Sequence, residues 1–438
     1  MFLKIQNAFD SHCHFLGTGQ IAAGLSLRNL KSADEVKNLK IEAHHYQQQW
    51  LVGFGWDQNK WTDSSFPIAS QLDAYFPNTP VFFSRNDGHC SWINSAAITE
   101  LKKMGYDFSK DPAGGKIQRD SKGNPTGVLF DQAHIQALIK LPYFSSDQQI
   151  QFIKIAQKIF NQGGFTHVRD LSMTTDLWKL LITMAKKKEL TVCIEGFVTI
   201  ENLNDLQRVL KDISWMRENS NSLLRIQGVK IFLDGSLGSK TAYISQNYLN
   251  TSENGILCWD LSKVKQVIVE TWKNGLDLAV HTIGDEAVHQ MVALARAVSA
   301  QGQLGRLHLE HVQIIRQETI QMMKPLHVTC HMQPCHWLSD HSWLSEVITA
   351  DVLKNTFQWE ALRKNKINIQ FGSDSPIETP SLVRTLQALN ESSKKGWPAL
   401  VDDWKKYHSY PDKNWTSSFT EFTDEKIHQV YFQGEPLL

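Results

Sequence analysis

The sequence predicts a (β/α)8 barrel of TIM type, with a large insertion after the first strand and a small, reduced β appendage at its C-terminal end. Two observations carry this. Short apolar strands alternate with helix-like stretches eight times. Most of these strands end on a polar or charged residue, as expected where a barrel places its chemistry at the C-terminal strand ends.

The strands follow in order. Residues 5–10 run into His12 and His14. Residues 165–169 end at Asp170, and residues 191–198 form a buried-type run. Residues 228–233 contain Lys230 and end at Asp234; residues 277–280 end at His281; residues 306–310 end at His311. Residues 327–332 lead to His336, and residues 367–371 to Asp374. Between them, residues 148–160, 261–272 and 287–300 show apolar positions at helical spacing.

The spacing breaks after the first strand. The segment from Gly19 to Lys140 is rich in turn signals, such as Asp111-Pro112-Ala113-Gly114-Gly115, and has strand-like runs at 50–54 and 81–84. An insertion there is expected on the active-site face, as a lid or specificity element. From about Lys394 the chain turns loop-like, then offers two short strands at 419–422 and 427–432. The expected division is a barrel over 1–18 and 141–393, an insertion over 19–140, and an appendage over 394–438.

Lys+Arg and Asp+Glu both number 45, so the formal net charge is zero and no polyanion-binding field is expected. The run Lys186-Lys187-Lys188 reads as a solvated helix end. The six cysteines are scattered without a CxxC pair, which suits a reducing compartment. The first residues lack an apolar signal-peptide core, and no apolar run is long enough to span a membrane. A cytoplasmic protein is expected, without nucleic-acid or membrane partners and with a small molecule as substrate.

His12 and His14 are two apart on a strand and therefore face one side, offering half of a zinc site. Alone, such a pair fits a structural role equally well. His281, His311 and Asp374 each end a different strand, and a barrel gathers strand ends. Lys230 sits mid-strand, where a buried ammonium is costly. It is either paired with a carboxylate such as Asp374, or carboxylated by CO2 to give an anionic oxygen ligand that bridges metal ions. Asp374 suits a second task, as base toward a metal-activated hydroxide's parent water and acid toward a leaving nitrogen.

These residues sit within stretches that resemble the YtcJ-like (amidohydrolase-3) branch of the amidohydrolase superfamily, which includes N-substituted formamide deformylase. The similar stretches are Asp10–His14, Gly53–Gln58, Asp87-Gly88-His89 through Trp92–Ser95, Asp111–Gly115, Pro125–Val128, Val229–Thr241, His281–Ala287, Glu310-His311, Gln333–His336 and Gly372–Asp374, in order over residues 9–380. The resemblance implies a metal-dependent hydrolase barrel that cleaves non-peptide, amide-like C–N bonds. It implies one or two divalent ions, with zinc the first choice. His12, His14, Lys230, His281, His311 and Asp374 match metal positions, with Lys230 carboxylated and Asp374 catalytic. His336, Trp56, Asp87, His89, Trp92 and Asn94 match positions that contact substrate or support the lid. A homodimer fits the same pattern.

The chain departs from that pattern at its ends. Nine residues precede Asp10 where relatives carry about half a β-sandwich, so the sandwich is expected to be reduced to the C-terminal strands or missing. The usual C-terminal helical segment is expected to shrink into residues 396–415. Two other functions remain in view. A one-metal deaminase would carry a glutamate at position 284, where this chain has Gly284. A non-catalytic ligand-binding barrel would lose a ligand, and none is lost. His308 is expected to pack against a helix; His331 either lines the barrel or lies in the core.

Overall fold

Eight parallel strands in sequential order form the central sheet of this computed structural model, which describes residues 3–397, 404–412, 415 and 417–437. They are β1 (Phe9–Cys13), β2 (His167–Asp170), β3 (Cys193–Thr199), β4 (Leu224–Phe232), β5 (Asp277–Thr282), β6 (Arg306–His311), β7 (His327–Met332) and β8 (Asn368–Phe371). The barrel closes just past the end of β8. Asp374 N donates to His12 O at 2.7 Å, and His14 N to Ser375 O at 2.8 Å. Gly372 permits this approach, because a Cβ there would lie 2.5 Å from His12 N.

The helices between the strands bury one face each. In Leu261–Lys273, Asp260 caps the first turn by accepting from Ser262 N, and Val264, Val267, Ile268 and Trp272 supply the buried stripe. In Asp285–Ser299 the stripe is Val288, Met291, Val292, Ala295 and Val298.

The chain divides into two compact units: residues 1–18 with 156–438, and residues 19–155. The division falls inside the helix Ser146–Gln162 rather than at Lys140. The second unit holds a seven-stranded mixed sheet. Its strands alternate faces: Trp50, Phe82, Ile93 and Leu129 fill one hydrophobic cluster, while Leu51, Phe83, Trp92 and Val128 fill the other.

The first strand expected from sequence is two strands. Leu3–Gln6 pairs antiparallel with Ser418–Phe422, which pairs with Ile427–Phe432 and then Glu435–Pro436. Asn7, at φ 47°, breaks the run, and its side-chain oxygen accepts from Ser418 N and Oγ. The appendage is therefore built from both ends of the chain, where only C-terminal strands or none were expected. Within the expected short helical segment 396–415, Trp404–His408 forms a 3₁₀ turn; residues 398–403, 413 and 414 lie outside the described residues. Among the described residues no helix is long and apolar enough to cross a membrane.

Candidate metal centre

Five histidines and an aspartate meet at the C-terminal end of the barrel. His12 Nε2 lies 3.1 Å and His14 Nε2 3.4 Å from the same oxygen, Asp374 Oδ1. The ring of His311 lies 4.7 Å from that of His12 and 4.5 Å from that of His281, centroid to centroid. His336 Nε2 is 3.7 Å from Asp374 Oδ2. Ligand atoms of His12, His14 and Asp374 all lie within 4.8 Å of one another, and so do those of His311, His336 and Asp374. The residues predicted from five separate strand ends are thus brought to one place.

Two of these residues have left-handed backbone. His311 has φ 72° and Asp374 φ 57°, a region uncommon for residues other than glycine, in which Asp and His are among the more frequent. The turn at His311 also explains an error of parity. Glu310 reaches across the barrel to β1 and β2, so it points inward. His308, two residues earlier on β6, shares that face. It contacts His331 at 2.8 Å and Asp277 at 3.2 Å on neighbouring strands rather than a helix. Counting alternation back from His311 put His308 on the wrong side.

The outer nitrogen of each of four imidazoles faces an acceptor. His12 Nδ1 is 2.7 Å from Glu310 Oε2. His14 Nδ1 is 3.1 Å from Ser172 Oγ, whose own hydrogen goes to Asp170. His281 Nε2 is 3.1 Å from Gly235 O, and His311 Nδ1 is 3.0 Å from Gln333 Oε1. The Gln333 amide is fixed because its nitrogen donates to His331 O. His12, His14 and His311 therefore carry their hydrogens outward and turn a lone pair toward Asp374, the arrangement that metal-binding imidazoles use.

The electrostatics agree. Burial opposes ionisation of Asp374, yet the surrounding imidazoles, His12 foremost, hold its carboxyl well below the usual range. Burial works against a charged His12, but Asp374 and Glu310 on its two sides raise its affinity for protons. A divalent cation competes for the same lone pair. His311 is kept neutral by burial and by His281 and His12. Lys230 is fully buried, and its Nζ has no hydrogen-bond partner among the described residues. Burial lowers its ammonium to about 8, against the pull of Glu310. An unpartnered amine inside a ring of ligands is what an added carboxylate group would satisfy, so the donor set fits a divalent metal.

A family model described as the amidohydrolase family matches residues 9–403. The chain belongs to the amidohydrolase family. It is 30% identical to the putative amidohydrolase YtcJ of Bacillus subtilis, over 84% of this chain and 69% of that one. It is also 30% identical to the protein LONG AFTER FAR-RED 3 of Arabidopsis thaliana, over 92% and 70% of the two lengths. N-substituted formamide deformylase of Arthrobacter pascens is 26% identical over 70% of this chain and 57% of its own. Among solved structures, an uncharacterized metal-dependent hydrolase from Pyrococcus furiosus aligns at TM-score 0.66 and 25% identity, covering 89% and 77% of the two chains. A counterpart from Pyrococcus horikoshii shares the fold at TM-score 0.70 and 24% identity, covering 94% and 79%.

The remaining expected site residues of this amidohydrolase lie in the second unit. Trp56 and Trp92 are fully buried, with indole nitrogens donating to Phe83 O and Ile68 O. Asn94 is buried and saturated: its oxygen accepts from Val81 N and Ala97 N, and its nitrogen donates to Phe76 O and Thr79 O. These three side chains hold the unit together, and none has a polar group to spare for a substrate. Asp87 and His89 differ. Asp87 pairs with Arg85 at 2.6 Å, His89 with Asp131 at 3.2 Å, and both are partly exposed.

Sequence reasoning missed the supports of the centre. Glu310 Oε1 accepts from Arg169 at 2.9 Å, and both are fully buried. The Arg169 guanidinium also lies 4.1 Å over the Phe197 ring. An arginine one residue before the polar end of the predicted strand 165–169 was the available signal. Asp234 accepts from the backbone of Tyr243, Ile283 and Gly284, tying the β4 loop to the end of β5.

Proposed function

We propose that this amidohydrolase cleaves a non-peptide, amide-like C–N bond in a small molecule. The observation that carries this is the set of acceptors behind His12, His14, His281 and His311, with the other ring nitrogens of His12, His14 and His311 gathered beside Asp374. These residues and Lys230 would hold one or two divalent ions; imidazole and carboxylate ligands favour zinc. Such an ion supplies a Lewis acid and a water that ionises near neutral pH.

The chain's own groups do the rest. Asp374 takes a proton at its carboxylate from water and delivers it to the departing nitrogen. Lys230 adds CO2 at Nζ, forming an N–C bond and releasing one proton, which turns an unpartnered amine into an anionic oxygen donor. The Arthrobacter relative, named for the deformylation of N-substituted formamides, supports an amide-like substrate. Gly284 argues against deamination, since a side chain there would run into Tyr243 O, 2.0 Å from its Cβ position. The buried thiols Cys13, Cys90, Cys330 and Cys335 support a reducing, cytoplasmic setting.

The test is a hydrolysis screen of zinc-loaded protein against formamides, N-acyl amino acids and cyclic amides. Release of amine from at least one class, lost in Asp374→Asn, is the expected result. Activity confined to esters or phosphoesters would overturn the proposal.

A further inference from the structure

His336 stands apart from the other four imidazoles in what lies behind its ring. Its Nδ1 faces not an acceptor but the side-chain nitrogen of Gln313, in a long contact of 3.4 Å. The same nitrogen lies 3.1 Å from Asp340 Oδ2. A carboxylate only accepts, so the amide must turn its NH2, and not its oxygen, toward Asp340. Burial pushes Asp340 up to about 6, which still leaves it ionised at neutral pH.

The NH2 has two hydrogens. One goes to Asp340, and the other points at His336 Nδ1, which must accept with its lone pair. A neutral imidazole has one donor and one acceptor, so the ring hydrogen lies on Nε2. His336 and Asp340 are four apart on the helix Pro334–Asp340, and His336 is 9% exposed. Its Nε2 is buried, turned toward Asp374, and has no hydrogen-bond partner among the described residues.

We propose that Gln313 and Asp340 are positioning residues that lock His336 as an Nε2–H donor, aimed at the oxygen of the scissile bond's carbonyl. The identity of that oxygen rests on the function proposed above; the tautomer does not. A carbonyl oxygen gains negative charge as its carbon becomes tetrahedral, and a fixed donor beside it is worth more in that state. The same hydrogen excludes His336 from ligating. The cluster of His311, His336 and Asp374 has the spacing of a second cation site, but a protonated nitrogen has no lone pair to give.

The deciding experiment labels histidine with 15N and reads the ring nitrogens by long-range correlation, with His336 assigned by its loss in His336→Gln. The wild type is expected to show a protonated Nε2 and a bare Nδ1. Gln313→Glu puts an acceptor behind the ring and is expected to move the hydrogen to Nδ1. A bare Nε2 in the wild type, or a hydrogen that stays on Nε2 in Gln313→Glu, overturns the proposal. If Gln313→Glu fails to fold, zinc content decides. His336→Gln is expected to keep the wild-type zinc per chain, and loss of one ion overturns the proposal. On an amide the wild type hydrolyses, His336→Gln should lower kcat about 10²-fold with little change in KM. If the wild type hydrolyses no amide, the proposed function falls while the 15N and zinc readouts still judge the tautomer.

Discussion

Glu310 Oε2 lies 2.7 Å from His12 Nδ1, and both side chains are buried inside the barrel. The carboxylate sits between two partners, His12 on β1 and Arg169 on β2. Burial alone would raise its pKa, but the Arg169 charge holds it well below the usual range. It therefore orients the His12 ring and strengthens its lone pair. Glu310→Gln should weaken zinc binding by about 10–100-fold, measured by chelator competition. Unchanged affinity would remove the role. Glu310→Leu should also lower stability by about 3 kcal/mol in denaturant unfolding, because the buried Arg169 loses its nearer carboxylate and keeps only Glu195, 3.5 Å away.

Asp374 is the carboxylate on which two imidazoles converge. Asp374→Asn keeps an oxygen for a metal and loses the proton carrier. Turnover should fall at least 10²-fold while most of the metal is retained. Wild-type-like turnover in this variant would refute the assignment.

Lys230 tests the carbamate directly. With 13C-bicarbonate the wild type should show a carbamate carbon resonance that is absent from Lys230→Met. Metal content in that variant should fall, and a full complement of ions would show that Lys230 is no ligand. An uncharged, unbranched side chain fills the same space, so the fold should survive.

The second unit carries an acid-sensitive element. His134, in the helix Gln132–Leu138, is buried, and burial, reinforced by His89, lowers its imidazole to about 4. Below pH 6.5 the unfolded chain protonates this ring, while the folded chain does so only near 4. Stability is therefore lost as pH falls through that interval, by up to about 1.4 kcal/mol per pH unit. Asp10 and Asp340, raised to about 6, and Asp234, raised to about 7, act with the opposite sign over an overlapping range. The difference between wild type and His134→Leu isolates the histidine. The Tm of the variant should rise relative to wild type between pH 7 and pH 5, and a constant difference would show that the ring is not held neutral.

Strand order and the convergence of His12, His14, His281, His311 and Asp374 were legible in the sequence, because strand-end polarity survives translation into three dimensions. What failed had a local cause. Asn7 looked like strand interior, but its positive φ and its bonds to Ser418 depend on a segment at the far end of the chain. His308 was misplaced because the turn at His311 breaks the period of two. Trp56, Trp92 and Asn94 stood in motif-like stretches, and nothing in a linear pattern separates a residue that meets a substrate from one that caps a helix or fills a core. The supports Glu310 and Arg169 were hidden because their task exists only across the barrel.

The seam between β8 and β1 sets when this centre can exist at all. Asp10 Oδ1 accepts from Ser373 N, a contact between positions 363 residues apart. A chain emerging from the ribosome displays its first two imidazoles long before Asp374 is made. Cation capture therefore reports completion of the ring of strands, and a zinc-binding signal that appears only with the last staves in place would serve as a folding clock for the whole barrel.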